Sequence, residues 1–161
     1  MDVILQQLCT MCKDKDFDTE IAKSLFSNIN LNEPFSENND KYMTTWLGSA
    51  ILYENVKMVE IMLKHGADPN IICNGESPFW NLQYNVYTDR VYEENEEMAL
   101  EADENNLKMA QLMLEYGANP CLVVDGENLF DYVLDEVFND DPGRLMDYRC
   151  RFFHLVNCLW W

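Results

Sequence analysis

The chain has 161 residues, with 29 Asp and Glu against 11 Lys and Arg, and carries a formal net charge of −18. This length fits one domain or at most two, and a hydrophobic content of 48% is enough for a packed core rather than a disordered chain. Because so negative a surface repels phosphate groups and anionic lipid headgroups, we expect no nucleic acid and no membrane as a partner, and the charge favours a basic partner or plain solubility.

The N-terminal part of the chain predicts two helices and no export signal. Asp2 lies where a secretory signal needs positive charge, so the protein is predicted to be cytoplasmic. Apolar residues within 3–8 predict a first helix, and Asp18 is predicted to cap a second helix that contains Ile21. The polar segment 33–41 is predicted to be a loop.

The middle of the chain contains an internal repeat. Residues 56–79 align without a gap on residues 107–130, an offset of 51, and ten of the 24 aligned pairs are identical. Such repetition is typical of stacked supersecondary units, each of which buries its apolar face against a neighbour.

Each copy of the repeat predicts a helix, a reversal, a tight turn and a second helix. Apolar residues within 58–63 follow helical spacing, and Gly66 is predicted to end that helix because glycine readily adopts the left-handed backbone of a C-cap. Asn74-Gly75 is a tight-turn dipeptide, and Ser77 is predicted to cap the next helix. The four methionines of the apolar stripes are predicted to be core residues: Met58, Met62, Met109 and Met113.

These features resemble the ankyrin repeat, a unit of about 33 residues made of a turn and two helices. The segments LKHGADPN at 63–70 and LEYGANP at 114–120 resemble the end of the family's second helix and the loop that follows it. Ser77-Pro78-Phe79 resembles the family's helix start, and Thr44 or Thr45 marks an earlier start. The histidine of that start is absent here, and Gly48 or Leu47 takes its place in the first copy.

The resemblance implies an all-α, ankyrin-like helical solenoid of about four helix pairs, with short turns or hairpins between the repeats. A single ankyrin-repeat domain is then expected over residues 1–161. Its expected parts are a degenerate N-terminal capping unit at 1–42, a repeat at 43–76, a repeat at 77–126 and a C-terminal capping unit at 127–161.

The second repeat is predicted to carry an acidic insertion. The offset of 51 exceeds the family's 33 residues by 18, and the extra residues are placed at about 88–106, a segment with eight acidic residues and one Arg. Met98 and Ala102 continue the helical spacing of Met109, which predicts that part of the insertion extends the following helix at its N-terminus. Acidic residues are stabilising at that end of a helix.

Candidate metal ligands occur near both ends of the chain. Cys150, His154 and Cys158 lie on one face of a predicted last helix, and with Cys9 and Cys12 they have the residue types of a zinc site. In a linear array, however, the two groups are expected to be far apart. We therefore predict no metal, a packed or half-buried His154, and reduced core thiols at positions 9, 12, 73, 121, 150 and 158.

The catalytic motifs that we sought are absent from the sequence, which contains no glycine-rich phosphate loop and no nucleophile elbow. We predict no catalytic residue and no cofactor, and hence no enzyme. The alternative interpretation is a small enzyme or a metal-binding protein. An enzyme would use the acidic cluster between Glu93 and Glu104 as a general acid and base, and a metal-binding protein would use the Cys/His helix.

The favoured interpretation is a non-enzymatic protein–protein interaction module, as resemblance to ankyrin proteins implies. In this interpretation the module binds a basic protein through its concave face and acidic insertion. A more specific version of the same interpretation is an inhibitor or immunity protein for a toxin. A monomer or weak homo-oligomer is expected. The predicted partner-binding residues are the aromatic and acidic side chains at the insertion: Trp80, Tyr84, Tyr87, Asp89, Tyr92, Glu93, Glu94, Glu96 and Glu97.

Overall fold

The computed structural model describes residues 3–36, 42–82, 96–123 and 145–160. These residues contain six helices, which are α1 (Val3–Lys13), α2 (Thr19–Phe26), α3 (Trp46–Leu52), α4 (Val56–Lys64), α5 (Glu96–Glu115) and α6 (Leu145–Trp160). Within the same residues, β structure is confined to two isolated antiparallel bridges, Phe35 with Thr44 and Cys73 with Glu76. The predicted all-α class is confirmed.

The helices pack on one another in chain order. α1 packs on α2 and α3, α3 on α4, α4 on α5, and α5 on α6. This nearest-neighbour packing is typical of a solenoid, in which each unit covers the apolar face of the next. The four methionines of the repeat are fully buried in the shared core, as predicted: Met58, Met62, Met109 and Met113.

Side chains cap several helix starts. The Asp18 carboxylate accepts a hydrogen bond from the Glu20 backbone N–H at 2.8 Å and so begins α2. Thr45, rather than Thr44, begins α3, because its Oγ1 accepts from the Gly48 N–H at 2.9 Å. At the next start the Ser77 hydroxyl accepts from the Trp80 N–H at 3.1 Å. Each cap satisfies a donor that the first helical turn leaves without a backbone partner.

Gly48 lies three residues after the Thr45 cap, and the Asn81 side chain fills the space beside it. A Cβ atom on Gly48 would lie 2.8 Å from the Asn81 side-chain oxygen, too close for a real contact. Asn81 is held in that position because its amide donates to a Glu76 carboxylate oxygen at 2.9 Å. The missing side chain at Gly48 thus allows the close approach of two repeat starts.

Both copies of the repeat end their helix in the same way. The Ala67 N–H donates to the Met62 carbonyl at 3.0 Å, and the Ala118 N–H donates to the Met113 carbonyl at 2.9 Å. The glycine that precedes each alanine has a positive φ, 89° at Gly66 and 86° at Gly117. This pattern is a Schellman C-cap, and it confirms Gly66 as the end of the helix.

Asparagine side chains join the loops of successive units. The Asn32 amide donates to the Gly66 carbonyl at 3.1 Å, and its oxygen accepts from the Asp68 N–H at 2.8 Å. Asn70 repeats this arrangement one unit later, with the Gly117 carbonyl at 2.9 Å and the Asn119 N–H at 2.7 Å. Asn32 therefore has the same bonding role toward the first repeat as Asn70 has toward the second.

Replacing Asn70 with alanine is expected to lower the free energy of unfolding by about 1–2 kcal/mol, because two hydrogen bonds between units are lost. Asn28 offers a matched control. It is exposed and donates only within its own unit, to the Ser24 carbonyl, so its replacement by alanine is expected to cost less than about 0.5 kcal/mol. Urea denaturation of both variants measures the difference. Equal losses would show that Asn70 does not couple the two units.

Candidate protein-binding surface

The N-terminal part of α5 falls in the segment that was predicted to be an acidic insertion. α4 has nine residues and α5 has 20, and the two helices end at equivalent residues, Lys64 and Glu115. Since Val56 is equivalent to Leu107, the additional residues of α5 are 96–106, all at its N-terminal end. We call them the acidic extension. At 1.5 Å per residue, the acidic extension adds about 16 Å of helix. The predicted helical extension is confirmed.

The acidic extension contains five acidic residues and no basic residue: Glu96, Glu97, Glu101, Asp103 and Glu104. Glu101 is exposed and Asp103 is buried, so the extension has one face toward the protein and one toward solvent. The Glu104 carboxylate lies 2.7 Å from the Arg151 guanidinium of α6, with both side chains largely exposed. An exposed pair of this kind contributes little stability, and here it links the acidic extension to the last helix.

Asn55 and Asn106 show how the insertion changes the second repeat. Asn55 is the N-cap of α4, and its side-chain oxygen accepts from the Met58 N–H at 3.0 Å. Asn106 is its equivalent 51 residues later, is fully buried and lies in the interior of α5. The position that begins a helix in the first copy therefore continues a helix in the second.

The structure describes only part of the predicted binding surface. Trp80 is half-buried and packs against the core beside the Ser77 cap. Glu96 and Glu97 begin α5, where their backbone but not their side chains is described. The remaining predicted residues lie outside the described part of the chain: Tyr84, Tyr87, Asp89, Tyr92, Glu93 and Glu94.

A groove beside α3 with both polar and apolar lining residues was not predicted from the sequence. It has a volume of about 460 Å³, and Tyr42, Met43 and Leu52 line it together with the 73–76 turn. Tyr42 is 81% exposed, and the Asn74 amide donates to the Met43 carbonyl at 2.7 Å, which holds the turn against this segment. The sequence features that could have indicated the groove are the turn at 73–76 and the two large apolar residues Tyr42 and Met43, which the fold brings together.

Exposed apolar side chains recur at equivalent turns. Ile72 is 48% exposed, and Val123, its equivalent 51 residues later, is 57% exposed. A contact surface that continues across stacked units needs such repetition, because each unit then presents the same side-chain type. The sequence alignment of the two copies contains this pair, although apolar residues in the alignment do not by themselves show exposure.

Several predictions about the Cys and His residues are corrected. All six cysteines are free thiols, but only Cys9 and Cys12 are buried, whereas three are exposed: Cys121, Cys150 and Cys158. His154 is also exposed rather than packed. Among the side chains of α6 that the structure describes, Phe152 and Val156 are buried, Leu155 is partly buried, and Phe153 and Leu159 face solvent.

His65 occupies the C-cap of α4. Its ring Nδ1 lies 2.7 Å from the Ile61 carbonyl oxygen, and the ring packs against Phe26 with centroids 5.4 Å apart. His65 thus stabilises the end of α4 and the contact between α2 and α4. This arrangement accounts for the residue without a catalytic role.

The family comparison agrees with this geometry. The family model of the ankyrin repeat matches residues 48–74, which cover most of α3, all of α4 and the start of the turn. No curated protein matches the chain. The resemblance seen in the sequence is confirmed for this segment, which matches the ankyrin repeat. Repeats of this kind form protein–protein interaction modules. In the described residues, no helix is long and apolar enough to cross a membrane.

Proposed function

We propose that this chain is a single-domain, non-enzymatic module that binds a basic protein partner in the cytoplasm. The observation that carries the proposal is the acidic extension of α5, which has five acidic residues, no basic residue and a fixed helical backbone. A disordered acidic loop would lose conformational entropy on binding, whereas an ordered helix presents its charges at defined positions.

Two further features support this proposal. Residues 89–143 contain 16 of the chain's 29 acidic side chains and two basic side chains. Such a localised field increases the association rate of a cationic protein and disfavours acidic competitors. Ile72 and Val123, the exposed apolar residues at the repeat turns, add apolar surface that a partner can bury, which charged residues alone do not provide.

The sharper form of the proposal is an inhibitor that neutralises a basic toxin, as an immunity protein does. A toxin that acts on nucleic acid needs a cationic surface, and an acidic helix is complementary to that surface. The proposed inhibitor acts as a monomer or weak homo-oligomer, since a partner must reach the acidic extension and the neighbouring aromatic residues.

Reversing the charge of the acidic extension is expected to weaken partner binding more than tenfold at about 0.1 M salt. The test variant is Glu96→Lys, Glu97→Lys, Glu101→Lys, which spares Glu104 and its pair with Arg151. Partners captured on the wild-type chain from the source cell are identified, and the affinity of the principal one is measured for each variant by calorimetry. We expect that partner to be basic.

The matched control is Asp16→Lys, Glu33→Lys, Glu115→Lys. It changes the net charge by the same amount at exposed residues outside the acidic extension. The control is expected to reduce affinity by less than about threefold. Equal losses for both variants would attribute binding to total charge, and an unchanged affinity of the test variant would remove the acidic extension from the interface.

A further inference from the structure

A thiol and an imidazole are in contact in a groove between α5 and α6. His154 and Cys158 lie one turn apart on α6, and both are exposed. The Cys158 sulfur is 3.5 Å from Nε2 and 3.9 Å from Nδ1 of His154. The groove has a volume of about 680 Å³, and the apolar side chains of Leu107, Leu155 and Leu159 form part of its lining.

The charged groups around this pair come from both helices. Glu104 and Lys108 of α5 and Arg151 of α6 line the groove. Glu104 and Arg151 pair with each other at 2.7 Å, so Lys108 leaves the charged lining with one net positive charge. The groove thus differs from the strongly acidic remainder of α5, and an attacking thiolate meets no net repulsion from the described lining.

The contact suits proton transfer from the thiol. A cysteine attacks an electrophile as its thiolate, and an imidazole within hydrogen-bond distance can accept the thiol proton as the attack proceeds. Metal binding fits the pair less well. A structural zinc ion takes four ligands, and no group of three or more His, Cys, Asp or Glu side chains is placed to hold an ion in the described part of the chain.

We propose that Cys158 is a thiol–disulfide exchange site, with His154 as its general base and a small organic disulfide as its substrate. The Cys158 sulfur attacks one sulfur of the disulfide while its proton passes to the imidazole. A bond forms between Cys158 and that sulfur, and the original S–S bond breaks. The second sulfur leaves with the bonding electron pair and takes the proton from the imidazolium, so the products are a mixed disulfide at Cys158 and one free thiol.

This modification would place a new group in the groove beside the Glu104–Arg151 pair, where α6 meets the acidic extension. The site is separate from the proposed partner-binding function and does not depend on it. Because Cys158 is exposed, the reaction requires no unfolding of α6.

The test compares the exposed cysteines within the same protein. The chain is treated at pH 7 with 2-hydroxyethyl disulfide, an uncharged probe that is insensitive to the different charges around each thiol. Peptide mass spectrometry follows the rate at each position. Cys158 is expected to react about fivefold faster than Cys150 and Cys121, a modest gain compared with general-base catalysis in an enclosed active site.

Cys73 provides a slow internal reference. Its thiol is half-buried, and burial, with a smaller contribution from the Glu76 carboxylate, raises the pKa of Cys73. A smaller fraction of Cys73 is therefore in the thiolate form at neutral pH. Cys73 is expected to react more slowly than all three exposed cysteines.

His154→Gln is the decisive variant, because His154 is exposed and its replacement should leave the helix intact. The rate at Cys158 is expected to fall about fivefold, to that of Cys150, while Cys150 and Cys121 keep their wild-type rates. Circular dichroism checks that α6 remains folded. Equal rates at Cys158 and Cys150 in the wild-type chain would overturn the proposal, and so would an unchanged Cys158 rate in His154→Gln.

Discussion

Replacing Asn55 with alanine is expected to lower the free energy of unfolding by about 3 kcal/mol. Asn55 is 1% exposed, and its side-chain oxygen caps α4 through the Met58 N–H. Its amide nitrogen also lies within 3.1 Å of three carbonyl oxygens at the end of α1, those of Met11, Cys12 and Asp14. Alanine removes the cap and leaves these carbonyl groups without that donor, at a site partly closed to water.

Asp18→Ala is the control for the capping part of this effect. Asp18 caps α2 in the same way, but it is exposed, and the hydrogen bonds that its carboxylate accepts come from Glu20 and Ile21 of its own helix. Its replacement is expected to cost about 1 kcal/mol. Urea denaturation followed by circular dichroism compares the two variants. If Asn55→Ala costs no more than Asp18→Ala, then the bonds from Asn55 to α1 contribute no stability.

Replacing Trp46 with alanine is expected to cost about 3–5 kcal/mol. Trp46 is the first residue of α3 and is 2% exposed. Its ring stacks on Phe35 with centroids 3.6 Å apart and an interplanar angle of 7°. Phe35 is held in position by two backbone hydrogen bonds with Thr44, at 2.8 and 2.9 Å. The variant loses a large buried side chain and the contact that attaches Phe35 to α3.

This loss approaches the total stability of a small domain, so a milder variant is needed if the alanine variant does not fold. Trp46→Phe keeps an aromatic ring against Phe35 and is expected to cost about 1–2 kcal/mol. Trp80→Ala is the control at a half-buried tryptophan and is expected to cost less than Trp46→Ala. Denaturation is followed at 222 nm, because both changes alter tryptophan fluorescence. Equal costs at the two tryptophans would contradict the described packing.

The local features of the fold were predictable because they depend on neighbours in the chain. The repeat offset located the ends of α4 and α5 at Gly66 and Gly117, and the helical spacing of Met98 and Met109 indicated that α5 begins within the insertion. Caps such as Asp18 and Ser77 were also predictable, since a short polar side chain before an apolar run has few other roles.

The contacts between units could not be predicted in the same way. Asn32, Asn55 and Asn70 are ordinary polar residues in the sequence, and their partners in the neighbouring unit lie at least 34 residues away in the chain. Which amide meets which carbonyl depends on how the repeats stack. Repeat alignment relates Asn55 to Asn106, but it does not show what either side chain contacts.

Exposure in α6 was mispredicted for a related reason. The helix has apolar residues on much of its circumference, and the sequence predicted a packed or half-buried His154 there. Within the described part of the chain, Phe152 packs on Phe79 with ring centroids 5.9 Å apart, while Phe153 and Leu159 face solvent. Composition gives the amount of apolar surface in a helix, but the neighbouring elements determine which side of it is covered.

Recruitment of a basic protein by the acidic extension of α5, as proposed, requires that association depend on salt concentration. The most direct measurement is the association rate constant of the principal captured partner with the wild-type chain, determined by stopped flow at salt concentrations from about 0.05 to 0.5 M. Electrostatic attraction predicts that this rate constant falls at least tenfold over that range, and that the fall is much smaller for Glu96→Lys, Glu97→Lys, Glu101→Lys. A rate constant that is independent of salt, or equally dependent on salt in both proteins, would contradict the claim.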